Sequence, residues 1–374
     1  MLQAIAASPL IARILDHLLT YGTIVTLVSW ITALIGAFLT FAIRTDHGYQ
    51  KNVWNFLRFC FPSAILRSKS CRLDVMFVFT LRFLRPLILT PVMLTTVGVT
   101  VGTHHLLEAL FGSRPVVADS FWLRLAILAI GVVIQDGLNF AVHYYNHKWK
   151  WVWEFHKIHH AATFMIPLTN QREHPVQTVL DYTPEILAVG AWIGVTTYLL
   201  QMPIVENVVL GMDAWFFANL LSFYHLRHSH IPMSYGWLEH FVMSPAQHQL
   251  HHSYAVQHWD RNFGLLLSVW DKMAGTFMRS APQEVRLGLP AEHEHDFNTL
   301  WKLYVTPIRN VVLMAIGWIR KNPRITPVAD RTSARRADVA APQLTSAPDQ
   351  MALAHFWWFG STRRRWRRRR ATVS

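Results

Sequence analysis

Residues 143–147 read His-Tyr-Tyr-Asn-His, residues 156–160 read His-Lys-Ile-His-His, and residues 248–252 read His-Gln-Leu-His-His. A looser pair, His225 and His228, lies between the second and third groups. Residues three or four apart share one face of an α-helix, so each group directs two or three imidazoles at one point. Imidazole is the commonest protein ligand of transition metals, and one zinc ion needs only about four such ligands. The spacing therefore predicts a two-metal site built on helices.

Histidines in this pattern are rare by chance. Histidine makes up 21 of 374 residues, a frequency at which His-x-x-His-His is expected about 0.07 times in the chain. The pattern occurs twice, at residues 156–160 and 248–252. Any single histidine is more often an ordinary polar residue, but the recurrence favours a metal site.

The carboxylates that accompany other metal sites are missing from this stretch. Residues 143–252 contain neither the His-Glu-x-x-His of zinc proteases nor the Glu-x-x-His of carboxylate di-iron bundles. Ten imidazoles without matched carboxylates favour two iron ions, each held by four or five nitrogens with one position open for O2 or water. We expect that zinc can replace iron during purification, because the same nitrogens bind it well.

The composition is that of a membrane protein, with 52% hydrophobic and only 15% charged residues, against roughly 25% charged in soluble domains. An apolar run of about 20 residues is long enough to cross a bilayer as a helix. The predicted spans are Leu18–Ile43, Val75–Val101, Phe121–Phe140, Val179–Leu200 and Ile204–Phe223, the last two forming a hairpin. A shorter apolar stretch, Val305–Ile319, is expected to lie at the interface.

Charge predicts which side of the membrane holds the histidines. The loop from Arg44 to Arg72 carries six cations and one anion, so the positive-inside rule places it in the cytoplasm. An even number of crossings then returns His143 and His252 to the same cytoplasmic face. The N-terminus is expected to be uncleaved and to lie outside.

The C-terminal segment, residues 324–374, is rich in Ala, Pro, Ser, Thr and Arg and is expected to be a disordered basic tail. Its arginine run at 363–370 contributes much of the formal charge of +13. An anionic membrane leaflet is the expected partner, and no motif for a specific nucleic acid is found. Cys60 and Cys71 are expected to be free thiols.

The order of the histidine groups resembles the fatty acid hydroxylase and sterol desaturase superfamily of integral membrane di-iron oxygenases. The resemblance covers about residues 121–277. Further matching features are Asp136, Arg172-Glu-His174-Pro175, Ser244-Pro245, Asn262-Phe-Gly264 and the segment from Trp270 to Thr276.

This resemblance implies an all-α integral membrane protein of four to five transmembrane helices under a cytosolic helical cap that holds two irons. It also implies O2-dependent hydroxylation or desaturation of a lipid, with electrons from a separate cytochrome or ferredoxin/reductase donor. The ligand positions that it implies are His143, His147, His156, His159, His160, His228, His248, His251 and His252. We add His225 as a tenth, one turn before His228, although a polar residue at a helix end is the alternative.

Two polar residues are predicted to support the ligands. Asp136 lies two helical turns before His143 and is expected to hydrogen-bond a ligating imidazole; a pair with Gln135 or Asn139 is the alternative. Asn262 is assigned a similar outer role. Four more histidines receive other roles: His230 and His240 lie outside the core pattern, His174 is expected to be structural or to support a ligand, and His258 is expected at the surface rather than in the site.

Two other function classes stay open at this point: a membrane haem or electron-transfer protein, and a metal transporter. The predicted division is an N-terminal membrane region (1–120), a catalytic domain (121–280), an interfacial region (281–323) and the tail (324–374). The substrate stays open among sterol, fatty acyl, sphingoid, ether lipid and carotenoid.

Overall fold

A computed structural model describes residues 27–43, 50–115, 120–201, 214–281, 285–290, 293 and 295–319. Within these ranges the protein is all-helical, with isolated bridges at Val242–Leu267 and Ser253–Leu287 in place of any strand. The predicted all-α class is therefore confirmed. The predicted tail, residues 324–374, lies outside the described residues.

The α-helices, in chain order, are α1 (Leu27–Ile43), α2 (Val53–Cys60), α3 (Ser63–Leu66), α4 (Lys69–Phe111), α5 (Phe121–Lys148), α6 (Lys150–His160), α7 (Pro175–Leu200), α8 (214–221), α9 (Tyr224–Arg227), α10 (Pro245–His251), α11 (Val269–Ala274) and α12 (Leu300–Ile319). Short 3₁₀ turns lie at Pro167–Gln171, Gly236–His240 and Val256–His258.

Two of these helices, α5 and α7, are long and apolar enough to cross a membrane. The described part of α1 is apolar but shorter. The predicted span Val75–Val101 lies within α4, a helix of 43 residues that contains Pro86 and Pro91. The first and last predicted spans, Leu18–Ile43 and Ile204–Phe223, begin outside the described residues. The number of membrane crossings therefore stays a prediction.

Helices α4 and α7 run parallel and in close contact: Asp74, near the start of α4, lies beside Arg172, just before α7, and Gly112, after α4, lies beside Tyr198, near the end of α7. A Cβ on Gly194 would lie 2.6 Å from the Thr100 carbonyl oxygen, and one on Gly190 would lie 3.0 Å from that of Thr96. The Thr100 hydroxyl donates to the Gly190 carbonyl at 3.2 Å. The glycines therefore let the two backbones approach closely, as small residues do between membrane helices.

The helical cap, which includes α6 and the segments around α9 and α10, begins where α5 ends and α6 starts. Trp149, in an extended conformation, ends α5 and begins α6. Helix α12 covers α6: Asn310 Nδ2 donates to Glu154 Oε2 at 2.7 Å, and Ile158 and Leu303 are buried together. Helix α12 begins at Leu300, five residues before the predicted start at Val305, and its position at an interface stays a prediction.

Candidate metal centre

Four segments bring the histidines together. The last two turns of α5 carry His143 and His147, and α6 ends in the second histidine group, residues 156–160. His228 follows α9 directly. Helix α10 supplies His248 and His251, and His252 is its C-cap.

These nine histidines form two groups of potential metal ligands. Within each group the ligand nitrogens all lie within 4.8 Å of one another. The first group is His143, His147, His156, His160 and His251, and the second is His159, His228, His248 and His252. The two groups meet at His160 and His252, whose rings stack with centroids 4.3 Å apart. The nine positions implied by the resemblance are thus brought together in space.

The spacing between ring nitrogens fits a shared metal. Nε2 of His228 lies 3.0 Å from Nε2 of His159 and 2.9 Å from Nε2 of His248. In the other group, Nε2 of His160 lies 3.2 Å from Nε2 of His156. Two nitrogens bound at about 2.1 Å to one ion, at right-angled to tetrahedral geometry, lie roughly 3.0–3.4 Å apart. The imidazoles are therefore arranged as ligands around an ion would be.

Backbone carbonyls set which nitrogen carries the proton. Nδ1 of His143 lies 2.8 Å from the Phe263 carbonyl oxygen, and Nδ1 of His251 lies 2.8 Å from that of Arg261. Because a carbonyl can only accept, Nδ1 carries the hydrogen and Nε2 presents a lone pair to the centre. Nε2 of His251 is buried without a hydrogen-bond partner among the described residues. Its lone pair is therefore free to bind a metal.

Burial keeps the rings neutral. Burial and the charge of His143 lower the pKa of His159 to about 3. Burial, then His252, His147 and other neighbouring imidazoles, lower the pKa of His160 well below its ordinary value. Only the neutral imidazole binds a metal. Nine neutral nitrogens without a carboxylate fit a borderline metal such as iron or zinc. A haem would need a single imidazole on each of its two faces. These histidines form tight groups of four and five instead.

The tenth candidate, His225, lies outside both groups. Its ring stacks on Trp30 with centroids 5.6 Å apart and planes within 1°. His230 and His240 lie outside the groups as well; His230 Nε2 contacts the Phe59 carbonyl oxygen at 2.8 Å. The surface position predicted for His258 is wrong, because this side chain is buried and its Nδ1 lies 2.8 Å from Ser253 Oγ.

Asp136 has a different partner from the predicted one. Its carboxylate accepts hydrogen bonds from the backbone of Leu266 and Leu267, both at 2.9 Å, and from Trp270 Nε1 at 2.8 Å. The expected bond to an imidazole is therefore replaced by bonds to the segment after Phe263. Asp136 therefore acts on His143 indirectly. It holds the backbone just after Phe263, and the Phe263 carbonyl oxygen accepts a hydrogen bond from the His143 ring.

Asn262 holds two parts of the cap together. Its Nδ2 donates to the Gln247 carbonyl at 3.1 Å, and its Oδ1 accepts from the Met278 backbone at 2.8 Å. Gln247 directly precedes the ligand position His248. Asn262 adopts φ +57°, a left-handed conformation that asparagine tolerates better than most residues.

Sequence reasoning missed several supporting residues. The side-chain amide of Gln177 lies 2.6 Å from Nδ1 of His156. Arg172 Nη1 lies 3.2 Å from Asp74 Oδ1, both fully buried, and Asp74 also accepts from Thr169 Oγ1 at 2.7 Å. The backbone of Arg172 and Thr169 in turn hydrogen-bonds His159. The sequence offered one signal for this contact: Asp74 is a charged residue near the start of the long apolar helix α4.

Comparison with known families gives the same assignment for this region. Residues 128–276 match the family model described as Fatty acid hydroxylase. This part of the chain is similar to that family. It contains all nine grouped histidines together with Asp136 and Asn262, and the resemblance read from the sequence is confirmed.

The similar curated proteins are lipid-modifying enzymes. They include ornithine lipid hydroxylase OlsE of Rhizobium tropici, 26% identical over 42% of this chain and 43% of that protein. Alkylglycerol monooxygenase of Danio rerio is 25% identical over 57% and 46%. Cholesterol 25-hydroxylase of Rattus norvegicus is 29% identical over 44% and 50%. Each alignment thus spans half or less of the relative's length. No solved structure matches the chain.

Proposed function

We propose that this protein is a membrane-bound di-iron enzyme that hydroxylates or desaturates a lipid with O2. The observation that carries the proposal is the convergence of nine buried imidazoles into groups of five and four. Two irons in these groups would supply the oxidation of an unactivated C–H bond by O2. The names of the similar proteins support an oxygenase that acts on a lipid.

The chain's own residues hold the ligands and shield them from water. Carbonyl groups of Phe263 and Arg261 fix two imidazoles in the tautomer that binds metal. Burial of the grouped rings in the cap keeps bulk water from the centre. Electrons come from a separate donor protein, of the cytochrome or ferredoxin/reductase type.

The membrane supplies the substrate in this proposal. Helices α5 and α7 are apolar enough to lie in lipid, and the first grouped histidines, His143 and His147, lie at the C-terminal end of α5. A lipid whose chain stays in the bilayer therefore reaches the centre from the membrane side. We assign the protein to a multi-pass arrangement with the centre and the C-terminus in the cytoplasm.

Labelled oxygen tests the proposal. Membranes from cells that express the full chain are supplied with ¹⁸O2 and a reductant, and their lipids are analysed by mass spectrometry. Hydroxylation gives a lipid with one ¹⁸O atom, whereas desaturation gives a lipid lacking two hydrogens. The His160→Ala variant is expected to give neither, and His105→Ala, at an exposed site on α4, is the matched control. Product from a metal-free His160→Ala protein would contradict the proposal.

A further inference from the structure

Five large apolar side chains are exposed together on the cap. They are Trp237, Leu238, Phe241, Val269 and Met273, and we call them the cap patch. Met273 is 76% exposed, Trp237 is 66% exposed and Phe241 is 60% exposed. An exposed apolar surface of this kind marks a site of contact with another protein or with a membrane.

Backbone bonding joins the two halves of the cap patch. The Ser268 backbone donates to the Phe241 carbonyl at 3.0 Å, so the 3₁₀ turn Gly236–His240 lies against the start of α11. Val269 and Met273, four residues apart, share one face of α11. The five side chains therefore form one surface, in contrast to the scattered apolar residues found on most proteins.

Helix α11 packs against the apolar part of α5. Trp270 Nε1 donates to Asp136 at 2.8 Å, and a Cβ on Gly137 would lie 3.0 Å from the Trp270 ring. Gly137 lies inside the predicted span Phe121–Phe140, six residues before His143 and so about 9 Å from it along the helix. The cap patch therefore lies beside the apolar part of α5, on the membrane side of the histidine centre.

The face of α5 that meets α11 is exposed further toward the N-terminus of the helix. Ile130, Val133 and Gly137 are spaced three and four residues apart, so they share one face. Ile130 and Val133 are both exposed, and α5 is one of the two helices long and apolar enough to cross a membrane. The cap patch thus continues a surface that is suited to lipid.

The charges near the cap patch favour lipid over a charged protein partner. Residues 236–243 and 265–275 contain three charged side chains, and two of them, Glu239 and Asp271, are fully buried. The third, Lys272, is exposed, and its Nζ lies over the Phe241 ring at 5.5 Å. Protein partners are steered to a surface by complementary charges. An exposed tryptophan beside a long lysine side chain is instead typical of a membrane interface.

We propose that the cap patch is immersed in the cytoplasmic leaflet of the membrane. Its apolar side chains contact acyl chains near the headgroups, and Lys272 extends its ammonium group to the lipid phosphates. Because Trp270 ties α11 to Asp136, this contact holds the cap and its histidine centre close to the bilayer. The inference rests on the proposed membrane arrangement and is independent of the proposed oxidation.

Fluorescence quenching in nanodiscs tests this contact. The full chain is loaded with zinc, which does not quench fluorescence, and carries one nitrobenzoxadiazole label in a Cys60→Ser/Cys71→Ala background. Each disc holds a single chain in phosphatidylcholine, with or without a doxyl group on the fifth acyl carbon. Iodide in the buffer is the aqueous quencher.

Four label positions are compared. Met273→Cys and Trp237→Cys report on the two halves of the cap patch. Val133→Cys, on the exposed face of α5, is the control for contact with lipid, and Lys150→Cys, exposed at the start of α6, is the control for contact with water.

Both patch labels are expected to be quenched by the doxyl lipid at least about threefold more strongly than the label at position 150, because an interfacial segment reaches about 5–10 Å into the acyl boundary. Their quenching is expected to lie within about twofold of that at position 133. Iodide is expected to quench the label at position 150 and to leave the patch labels bright.

Quenching of either patch label by iodide in place of the doxyl lipid would overturn the inference. Protection from both quenchers would also overturn it, because another part of the chain would then cover the patch. Lipid quenching at position 133 without lipid quenching at the patch would leave the crossing by α5 standing and overturn the patch inference alone. No lipid quenching at position 133 would overturn the membrane arrangement itself. None of these results depends on lipid oxidation, which the labelled-oxygen experiment tests separately.

Discussion

Gly264 follows Phe263, whose carbonyl oxygen accepts a hydrogen bond from His143. The Asp271 carboxylate accepts from the backbone of Phe263 at 2.9 Å and of Gly264 at 2.7 Å. A Cβ at position 264 would lie 2.8 Å from Asp271 Oδ2 and 3.1 Å from the Leu267 carbonyl oxygen. Any side chain here therefore pushes the carboxylate away from the turn that carries the Phe263 carbonyl.

Gly264→Ala is expected to destabilise the protein by about 1–3 kcal/mol, the usual cost of overpacking a tight site. Thermal unfolding in one detergent measures the change. Gly102→Ala is the control, because a Cβ there meets nothing within 4 Å; in a helix this change is expected to add up to about 1 kcal/mol. Equal unfolding temperatures for the two variants would contradict the role of Gly264.

The sequence could predict those residues whose partners lie close by in the chain and repeat at a regular spacing. The nine grouped histidines followed from spacing of three and four residues and from the family resemblance. Asp136 was predicted to be important, but its partners at 266, 267 and 270 lie 130 or more residues along the chain. Gln177 was missed for the same reason, since its contact with His156 depends on how α6 and α7 meet.

At the scale of elements, a buried ion pair ties α4 to the turn before α7. Asp74 belongs to the second turn of α4, and Arg172 follows the 3₁₀ turn Pro167–Gln171. Burial lowers the pKa of Arg172 and the nearby Asp74 carboxylate opposes that change. Because the turn also hydrogen-bonds His159, this pair fixes the entrance of α7 beside the metal centre.

Asp74→Ala is expected to cost about 3–5 kcal/mol, because it leaves the Arg172 guanidinium buried and unpaired. The paired variant Asp74→Leu/Arg172→Met is expected to recover most of that loss, since it removes both charges. Unfolding of the three proteins in the same detergent gives the comparison. A double variant no more stable than Asp74→Ala would show that the ion pair is not the source of the loss.

Helix ends were harder to predict than helices. The third predicted span ends near Phe140, where polar residues begin, but α5 continues to Lys148. Among those residues, His143 and His147 belong to the histidine centre and Asn146 is buried, so the change in composition marks the approach to the site within one helix. Polar residues on one face of α7 have the same cause.

At the scale of the whole molecule, the arrangement in the membrane can be tested by labelling. Position 105 lies 31 residues after Asp74 along α4, about 46 Å at 1.5 Å per residue, which exceeds a hydrocarbon core of about 30 Å. In a Cys60→Ser/Cys71→Ala background, His105→Cys is expected to react with an impermeant maleimide in intact cells. Lys150→Cys, exposed at the start of α6, is expected to react only after permeabilisation.

Labelling of position 150 in intact cells would contradict the assignment of the histidine centre to the cytoplasmic face, and labelling of position 105 only after permeabilisation would contradict the crossing by α4. The sequence predicted this arrangement from the charges of one loop and from the number of apolar runs. Within the described residues, α5 and α7 agree with two of those runs.

The metal content of the purified protein tests the central claim most directly. Protein reconstituted with ferrous iron without O2, and then freed of excess metal, is expected to hold two irons per chain, one in each group of histidines. His225→Ala is expected to keep both irons, because His225 lies outside the groups, whereas His228→Ala removes one of only four nitrogens in its group and is expected to lose that iron. One iron per chain in the wild-type protein, or equal loss in both variants, would contradict the account.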